Sequence, residues 1–363
     1  MDIERLNEEL MNNNFAKFPE FDNHEFILSA SDQNSGLRCF IALHRTNLGS
    51  ALGATRFWHY ASEEDALRDT LRLSRTMTYK CALARIPYGG GKGVIMADEK
   101  FSKNGNLLKR YAQLVDGLKG RFYTGEDVGL NGKDVRKMAS VTRYVVGKLP
   151  KRSDDPPYWT ALGVFYAMQA ALAMRFGDAD MRGRKVAVKG LGKVGTALCR
   201  VLHQQGAKLI GADVNFHKVR RARARFPEIQ IVSPEEIHRR KVDIFAPCAL
   251  GNDFDKKTIP QLRCKVICGG ANNQLATAED GARLYSWGIL YVPDYLANAG
   301  GLINVSAELN RGGYRRPWVE RKVKRIKETT KQVLVLSRKT NKPTSEVADR
   351  LAESFFKKAA RRT

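Results

Sequence analysis

The fold is decided by the stretch Val186-Ala-Val-Lys-Gly-Leu-Gly-Lys-Val-Gly195, VAVKGLGKVG, near the middle of the 363-residue chain. A short apolar strand leads into Gly190, which permits a tight turn, and Gly192 lets the backbone approach a pyrophosphate. Gly195 allows the following helix to pack closely on the strand. The pattern predicts a strand, a turn and a helix N-terminus that bind a dinucleotide. The loop positions predicted to contact the cofactor are Gly190, Gly192, Lys193, Val194 and Gly195.

The residues after this stretch support a dinucleotide site. A helix over Thr196–Gln204 is expected to follow, and Asp213 ends the next apolar strand, 23 residues after Gly190. A carboxylate there can accept hydrogen bonds from both ribose hydroxyls and would repel a 2′-phosphate, so NAD is favoured over NADP. Four basic residues soon after Asp213 leave NADP open as the alternative: His217, Lys218, Arg220 and Arg221.

The second half of the chain alternates short apolar strands with helices. This alternation predicts a parallel, doubly wound sheet of the Rossmann type. The predicted strands are Lys185–Lys189, Lys208–Ala212, Ile229–Val232, Val242–Ala246, Lys265–Gly269 and Gly288–Val292. After Asn298 the pattern is helical to the end of the chain.

The first half has a different pattern and predicts a separate α/β domain. Strands are expected near Glu25–Ala30, Leu37–His44 and Ala51–Phe57, followed by a helix capped by Ser62 that carries Lys80 near its end. The charged, proline-containing connector KLPKRSDDPPYW precedes a helix expected to start near Thr160. We therefore expect a substrate domain over residues 1–148, completed by a C-terminal helix over 332–363. The NAD-binding domain is expected over 149–331, with the active-site cleft between the two domains.

Three charged residues in the first half are candidates for chemistry: Lys80 in MTYKCA, Lys92 in GGGKG and Asp127 in GEDVG. The glycine run is not a phosphate loop of the Walker type, because Gly93 rather than serine or threonine follows Lys92. Three glycines allow the chain to press close to a ligand beside that lysine. A lysine that loses solvation in an apolar cleft can exchange protons near neutral pH.

Composition limits the class of protein. The chain has 62 Lys+Arg against 38 Asp+Glu, a formal net charge of +24, and residues 311–363 hold 17 basic and 5 acidic residues. Such an excess attracts polyanions incidentally.

The six cysteines are scattered, and Cys264 and Cys268 lack a second Cys/His pair at zinc-finger spacing, so no metal is expected. A polar N-terminus and the lack of a long apolar run predict a soluble, cytoplasmic protein.

Several motifs in one order resemble the leucine/phenylalanine/valine/tryptophan dehydrogenase branch of the amino-acid dehydrogenases. The resemblance covers nearly the whole chain. The motifs are ALGATRFW, LRLSRTMTYK, GGGKGVI, YTGEDVG, VKGLGKVG, DIFAPCALG, GGANNQL, PDYLANAGGLINV and ADRLAE. The resemblance implies an NAD-linked, reversible oxidative deamination of an L-amino acid to a 2-oxo acid and ammonia. It also implies a homo-oligomer, and the lack of a long apolar run predicts that the protein does not bind membranes.

The resemblance further implies roles for single residues. Lys80 would hold the substrate carboxylate, Lys92 would act through water as general base, and Asp127 would handle protons at the amino group. Asn298 would contact the amino group of the substrate. The implied cofactor contacts outside the glycine loop are Asp213, Thr160, Ala246, Pro247, Cys248 and Asn272.

The same resemblance implies an apolar cup for the substrate side chain. The cup positions are Leu52, Gly53, Ala54, Met77, Gly125, Leu302 and Val305. Branched-chain members of the family tend to carry alanine where this chain has Gly125, so a larger cup and an aromatic substrate, phenylalanine or tryptophan, are expected. Leucine or valine is the alternative. Glutamate is disfavoured because its second carboxylate would need a further cation.

A rival from another class is a basic protein that binds nucleic acid or another polyanion on an inactive dehydrogenase scaffold. Fold alone does not establish function. The presence of Lys80, Lys92 and Asp127 together with the complete glycine pattern favours the enzyme. No nucleic-acid-binding motif is found, and the arginines near residue 220 lack interleaved aromatic residues.

Overall fold

A computed structural model describes residues 15–97, 103–148, 156–249 and 251–360, without the side chains of 357–360. The chain forms two compact units. The first lies within Met1–Ser153, Val305–Tyr314 and Glu353–Thr363. The second comprises Asp154–Asn304 and Arg315–Ala352.

The first unit is built on a mixed six-stranded sheet with the strand order β1-β2-β5-β3-β6, in which β4 also pairs with β5. β1, β2 and β5 are antiparallel, whereas β3 and β4 run parallel to β5. The expected strand over 51–57 is divided into β3 and β4. The elements are β1 Phe26–Asp32, β2 Leu37–Arg45, β3 Ala51–Leu52, β4 Thr55–Trp58, α1 Glu63–Leu83, β5 Gly89–Met96, α2 Gly105–Gly117, β6 Phe122–Tyr123 and α3 Gly132–Ala139.

Helix α1 begins where the sequence predicts. The Ser62 side chain accepts a hydrogen bond from the amide of Asp65 at 3.0 Å, and three acidic residues in the first turn favour the positive end of the helix dipole. The apolar face of α1 packs against one face of the sheet, where Leu67 and Leu71 share a core with Val94 of β5. Helix α2 covers the other face, with Tyr111 in a second core.

The glycine run lies inside β5 rather than in a loop before it, and every residue of this strand is buried. A Cβ at Gly90 would lie 2.1 Å from the backbone nitrogen of Thr78 in α1. A Cβ at Gly93 would lie 1.9 Å from the hydroxyl of Tyr111 on the opposite face. Real Cβ atoms do not approach so closely, so the glycines allow both helices to pack tightly on this strand.

The second unit contains a six-stranded sheet in the order β12-β11-β10-β7-β8-β9, with every pair parallel. This confirms the doubly wound sheet predicted from the alternating pattern. The elements from residue 156 onward are α4 Pro156–Phe176, β7 Lys185–Lys189, α5 Lys193–Gln204, β8 Lys208–Ala212, α6 Phe216–Arg225, β9 Gln230–Ile231, β10 Val242–Pro247, β11 Cys264–Ile267, α7 Ala278–Ser286, β12 Leu290–Tyr291, α8 Asp294–Ala297, α9 Gly300–Ser306, α10 Arg316–Thr340 and α11 Thr344–Ala360.

Two boundaries differ from the sequence-based expectation. Helix α4 begins by Pro156, one turn before Thr160. Residues 332–352 group with the second unit, although we expected 332–363 to complete the first. The reason is that α10 is one continuous helix that packs on α4, where a Cβ at Gly163 would lie 2.8 Å from Ile326 Cδ1.

Candidate active site

The first unit brings Lys92 and Asp127 into a buried ion pair. Lys92 Nζ lies 2.5 Å from Asp127 Oδ2, and the two side chains are 6% and 18% exposed. A buried charge is costly unless a partner compensates it, so the contact with Lys92 offsets the cost of burying the Asp127 carboxylate.

Strand geometry explains how residues 35 positions apart meet. Alternation along β5 puts Lys92 on the same face as Val94, which packs against α1. The segment carrying Asp127 runs beside β4, since the amide of Thr55 donates to Gly125 O at 3.0 Å and that of Phe57 to Val128 O at 2.9 Å. β4 in turn pairs with β5.

Arg56, which the sequence analysis did not single out, also contacts Asp127. Its Nε lies 3.2 Å from Asp127 Oδ2 and its Nη1 lies 2.7 Å from Asp69 Oδ2. In the parallel pairing of β4 with β5, Arg56 is opposite Val94 and therefore shares the face of Lys92. Arg56 lies within the quoted motif ATRFW, but its role depends on a strand pairing that the motif does not reveal.

These two cations determine the charge state of Asp127. Burial raises the pKa of the carboxyl group, but Lys92 and then Arg56 outweigh burial and lower it to about 2. Asp127 is therefore a carboxylate at neutral pH. It can accept a proton from a cationic nitrogen brought beside it.

Lys80 lies in the last turn of α1 and is only 8% exposed. Met77 precedes it by three residues and so lies on the same side of the helix. A buried ammonium group at the end of a helix can bind a carboxylate. One face of α1 therefore carries a charged side chain, Lys80, next to an apolar one, Met77.

The other positions predicted for the cup lie on several short segments. Leu52 and Gly53 are buried beside β5, and a Cβ at Gly53 would lie 1.8 Å from Gly91 O. A Cβ at Gly125 would lie 3.2 Å from both Cγ2 and O of Val146, so the missing side chain of Gly125 faces Val146 and not open space. The partly buried cup positions are Ala54, Met77, Leu302 and Val305, the last two on α9.

In the second unit the three glycines of the predicted dinucleotide loop have three different environments. Gly190 has a positive φ of 99°, which glycine adopts without steric cost, and a Cβ there would lie 2.7 Å from Ala249 N. A Cβ at Gly195 would lie 1.8 Å from Gly190 O. A Cβ at Gly192 would have no atom within 4 Å. The open side of the loop is therefore at Gly192, next to the N-terminus of α5, where Lys193 and Val194 begin the helix.

Asp213 follows β8 immediately and holds this loop. Its Oδ2 accepts a hydrogen bond from the amide of Leu191 and its Oδ1 from the amide of Asn215, both at 2.8 Å. Lys218 Nζ lies 3.5 Å from Oδ2. A carboxylate accepts about four hydrogen bonds, so two backbone donors leave capacity for ribose hydroxyls.

The adjacent strand β10 ends at the same edge of the sheet. Ala246 and Pro247 are its last residues, and the amide of Cys248 donates to Lys189 O of β7 at 2.7 Å. Burial raises the pKa of the Cys248 thiol to about 12, so it remains a thiol at neutral pH. These residues form one wall of the turn that follows β7.

Asn298 and Asn272 lie together. Asn298 Nδ2 donates to Asn272 Oδ1 at 2.9 Å and to Ala271 O at 3.2 Å. Asn298 Oδ1 is buried and has no hydrogen-bond partner among the described residues. Such an oxygen can accept a hydrogen bond from a ligand. Asp294, which the sequence analysis missed, fixes the same loop by accepting a hydrogen bond from the Asn273 amide at 2.9 Å.

Thr160 lies in α4 and donates a hydrogen bond to Pro156 O at 3.0 Å. A Cβ at Gly301 would lie 2.5 Å from its Oγ1, so Thr160 packs directly against the start of α9. Its side chain is therefore positioned by two helices of the second unit.

Other features of the described residues lie away from these sites. A cavity of about 410 Å³ lies at the N-terminal edge of β7 and β8, opposite to the glycine loop, and is lined by Lys185 and Lys208 among others. Within the described ranges no group of three His, Cys, Asp or Glu residues could hold a metal ion. No helix there combines the length and apolar character needed to span a membrane.

The Rossmann-type sheet with its glycine loop is typical of enzymes that bind a nicotinamide dinucleotide, and the comparisons identify the chain as an amino-acid dehydrogenase, an oxidoreductase. The chain belongs to the Glu/Leu/Phe/Val dehydrogenase family. The dimerisation-domain model of this family matches residues 24–147. The Glutamate/Leucine/Phenylalanine/Valine dehydrogenase model matches residues 153–216 and 214–356.

Relatives with three different names are similar over almost their whole length. Leucine dehydrogenase of Geobacillus stearothermophilus is 44% identical over 93% of this chain and 92% of its own. Phenylalanine dehydrogenase of Bacillus thermotolerans is 38% identical over 96% and 92%. The crystal structure of L-tryptophan dehydrogenase from Nostoc punctiforme is 43% identical and superposes with a TM-score of 0.80, covering 93% of this chain and 97% of that chain. These matches confirm the resemblance on which the sequence analysis relied.

Proposed function

We propose that this protein catalyses the reversible, NAD-dependent oxidative deamination of an apolar L-amino acid to the 2-oxo acid and ammonia. The observation that carries the proposal is the buried ion pair between Lys92 and Asp127. Amino-acid oxidation needs a proton acceptor beside the α-nitrogen and a base for the attacking water, and a paired lysine and carboxylate can supply both.

We assign the steps to named side chains. Lys80, buried near the end of α1, binds the substrate carboxylate, since an ammonium group and a carboxylate form strong charge-assisted hydrogen bonds. Asp127, ionised at neutral pH, accepts a proton from the substrate ammonium group, while Lys92 activates the water that attacks the carbon. Asn298 Oδ1, buried without a partner among the described residues, accepts a hydrogen bond from the substrate nitrogen.

The dinucleotide would be held by the glycine loop and Asp213. The open space at Gly192 and the adjacent helix N-terminus fit a pyrophosphate, and the spare acceptor capacity of Asp213 fits a ribose diol. When bound, the nicotinamide ring accepts the hydride from the substrate α-carbon. NAD is proposed over NADP because a 2′-phosphate would meet the Asp213 carboxylate, although Lys218 beside it reduces that repulsion.

The preferred side chain remains a prediction with two candidates. The aromatic preference relied on extra room at Gly125, but the missing side chain of Gly125 faces Val146. That geometry, together with a leucine dehydrogenase at 44% identity, favours the branched-chain candidate. A relative of 43% identity named L-tryptophan dehydrogenase keeps the aromatic candidate open.

The test is amino-acid-dependent formation of reduced cofactor, ranked by kcat/KM over Leu, Val, Phe, Tyr, Trp and Glu with NAD and with NADP. Lys92→Ala and Asp127→Asn are each expected to lower kcat/KM by about 10²–10⁴-fold, the usual contribution of a general acid or base. Lys103→Ala is the matched control, because it removes another Lys–Asp pair of the first unit, 2.7 Å from Nζ to Asp134 Oδ2. Near-normal turnover by Asp127→Asn would contradict the assignment, and equal rates with both cofactors would contradict the role of Asp213.

We further propose a cytoplasmic homo-oligomer with incidental affinity for polyanions. The oligomer is supported by the dimerisation-domain description of the family model, and the polyanion affinity by the net charge of +24. An inactive, polyanion-binding protein would behave differently. It would show no turnover with any L-amino acid, and it would bind nucleic acid tightly at about 0.2 M salt, where a purely electrostatic contact weakens strongly.

A further inference from the structure

Asp127 belongs to a chain of alternating charges that begins at Lys92 in β5 and ends at Arg72 in α1. Lys92 and Arg56 both contact Asp127 Oδ2, at 2.5 and 3.2 Å. Arg56 also contacts Asp69 Oδ2 at 2.7 Å, and Asp69 Oδ1 in turn lies 2.9 Å from Arg72. Exposure of the three cations rises from 6% at Lys92 through 17% at Arg56 to 45% at Arg72. The buried end of the chain is the proposed catalytic pair.

Because Lys92 and Arg56 share one oxygen of Asp127, the carboxylate keeps a counter-ion when Lys92 acts as a base. A base that activates water must be free of its proton, and a neutral Lys92 would no longer compensate Asp127. Without a second cation, a buried carboxylate would then be left unpaired, which is strongly unfavourable. Arg56 removes that obstacle because a guanidinium stays charged at every physiological pH.

We propose that Arg56 is a positioning residue that serves as the permanent counter-ion of Asp127, so that Lys92 can leave the carboxylate and act on the substrate. The inference rests on the proposed function, since it assumes that Lys92 and Asp127 are the reacting pair. It goes beyond that function by assigning a role to a residue that neither reacts nor binds substrate.

The structure holds Arg56 firmly in this position. Its two contacts use different nitrogens, Nε for Asp127 and Nη1 for Asp69, a fork that a lysine cannot reproduce. Asp69 is itself fixed, because Tyr60 donates a hydrogen bond to its Oδ2 at 2.7 Å. Arg56 is thus fixed between a rigid anion of α1 and the reacting carboxylate.

The charged groups facing Asp127 come from three elements. Lys92 of β5 and Arg56 of β4 contact Asp127 directly, whereas Asp69 and Arg72 of α1 act through Arg56. Glu126 precedes Asp127 in the chain and is exposed. Burial raises the pKa of Asp127, whereas Lys92 and Arg56 lower it, in agreement with a second cation that favours the carboxylate.

The decisive variant is Arg56→Gln, assayed as kcat/KM against pH with the best amino acid and NAD. Loss of a nearby cation makes protons bind the site more tightly. The rising limb of the profile should therefore move by about one unit to higher pH, a tenfold change in proton affinity. At neutral pH kcat should fall by about tenfold or more while KM for the amino acid changes little, because Arg56 is not proposed to touch substrate.

Two further variants test the same idea from both sides. Asp69→Asn leaves the charge of Arg56 less compensated, so the rising limb should move to lower pH, opposite to Arg56→Gln. Arg56→Lys keeps the cation and should restore part of kcat. If Arg56→Gln does not fold, as judged by thermal unfolding, the shift in Asp69→Asn decides the question alone.

The outcomes separate this proposal from the proposed function. If Asp127→Asn is inactive but neither Arg56→Gln nor Asp69→Asn moves the pH profile, Arg56 has only a structural role and the inference fails by itself. If both variants move it in the same direction, the inference also fails. If Asp127→Asn retains wild-type turnover, the assignment of the reacting pair fails, and the role of Arg56 fails with it.

Discussion

Gly192 and Gly195 are only three residues apart in one motif, yet their missing side chains serve different purposes. The side chain missing at Gly195 would overlap Gly190 O at 1.8 Å, so this glycine is needed for the protein to fold. A Cβ at Gly192 would meet no atom within 4 Å, so the fold itself does not need glycine there. The open space matters only when a ligand occupies it. Sequence alone treats both as members of one pattern.

We predict opposite results for alanine at the two positions. Gly195→Ala should lower the free energy of unfolding by about 3 kcal/mol, because the backbone must move to accept the methyl group. Gly192→Ala should unfold like wild type but bind NAD about tenfold or more weakly, since its methyl group occupies the pyrophosphate site. Thermal unfolding and NAD titration check both, and equal stability of the two variants would contradict the prediction.

The sequence indicates functional residues that lie in recognisable motifs, but it misses residues whose role depends on how the strands pair. The candidates Lys92 and Asp127 could be named from GGGKG and GEDVG, although only the structure pairs them. Arg56 could not be assigned, because its place depends on the register of β4 against β5. Likewise, nothing in the sequence reveals that Asp294 anchors the loop before Asn298.

At the scale of elements, β5 carries the central constraint on the first unit. It lies between two helices, and its glycines permit a close approach on both faces, while Lys92 projects from the same strand. Tight packing by the glycines therefore fixes the position of the proposed base. The sequence predicts a strand here and a close approach of a ligand at the glycines, but it does not reveal their packing, because contact with a distant helix leaves no local signal.

We predict that Gly90→Ala destabilises the protein strongly. Its methyl group would lie 2.1 Å from the backbone nitrogen of Thr78, which cannot move without shifting α1 and Lys80 with it. The free energy of unfolding should fall by about 3 kcal/mol or more, as for overpacking against rigid backbone. Any folded fraction should show a raised KM for the amino acid.

Gly132→Ala is the matched control for this prediction. Gly132 is the first residue of α3, and a Cβ there would meet only the flexible end of Arg136 at 3.4 Å. Alanine should be neutral or stabilise the protein by up to about 1 kcal/mol, because it restricts the unfolded chain and favours helix. If the two variants unfold alike in a denaturant titration, the packing role of Gly90 is wrong.

The helices after Asn298 show what periodicity cannot decide. The helical pattern predicted after Asn298 agrees with α10, in which Val319, Val323 and Ile326 are buried on one face. A periodic face indicates that a helix packs on something, but it does not indicate on which unit. The structure packs α10 on α4, which explains why the expected boundary near residue 332 does not coincide with the division into compact units.

At the scale of the whole molecule, acid should destabilise the fold through the partly buried His24 and the buried His44 as well as through carboxylates. His24 Nδ1 accepts a hydrogen bond from the Asp22 amide at 3.3 Å, and Nε2 contacts Leu71 O at 3.0 Å, a pattern that only a neutral ring can satisfy. Burial, with a smaller contribution from His44, lowers the pKa of His24 to about 3. Burial also lowers the pKa of His44, although Asp22 opposes this effect.

The direction of the pH dependence follows from these shifts. The pKa of such an imidazole is lower in the folded protein than its unfolded value of about 6.5. Its contribution to the free energy of unfolding is therefore fully present above about pH 6.5, and it is lost as the pH falls toward the folded pKa. For His24 the loss extends from about 6.5 to about 3. Carboxylates with a lowered pKa, such as Asp22 and Asp127, add their own loss only below about pH 4.

We therefore predict that the free energy of unfolding is level above about pH 6.5 and falls between about pH 6 and 4, before most carboxylates titrate. The slope from one fully coupled histidine is about 1.4 kcal/mol per pH unit. His24→Gln should be less stable at neutral pH, because one buried hydrogen bond is lost, but its stability should fall less steeply through that range. His217→Gln, at an exposed position, should keep the wild-type slope. Denaturant titrations at several pH values measure the slopes, and a His24→Gln slope equal to that of wild type would show that the buried imidazole does not control acid stability.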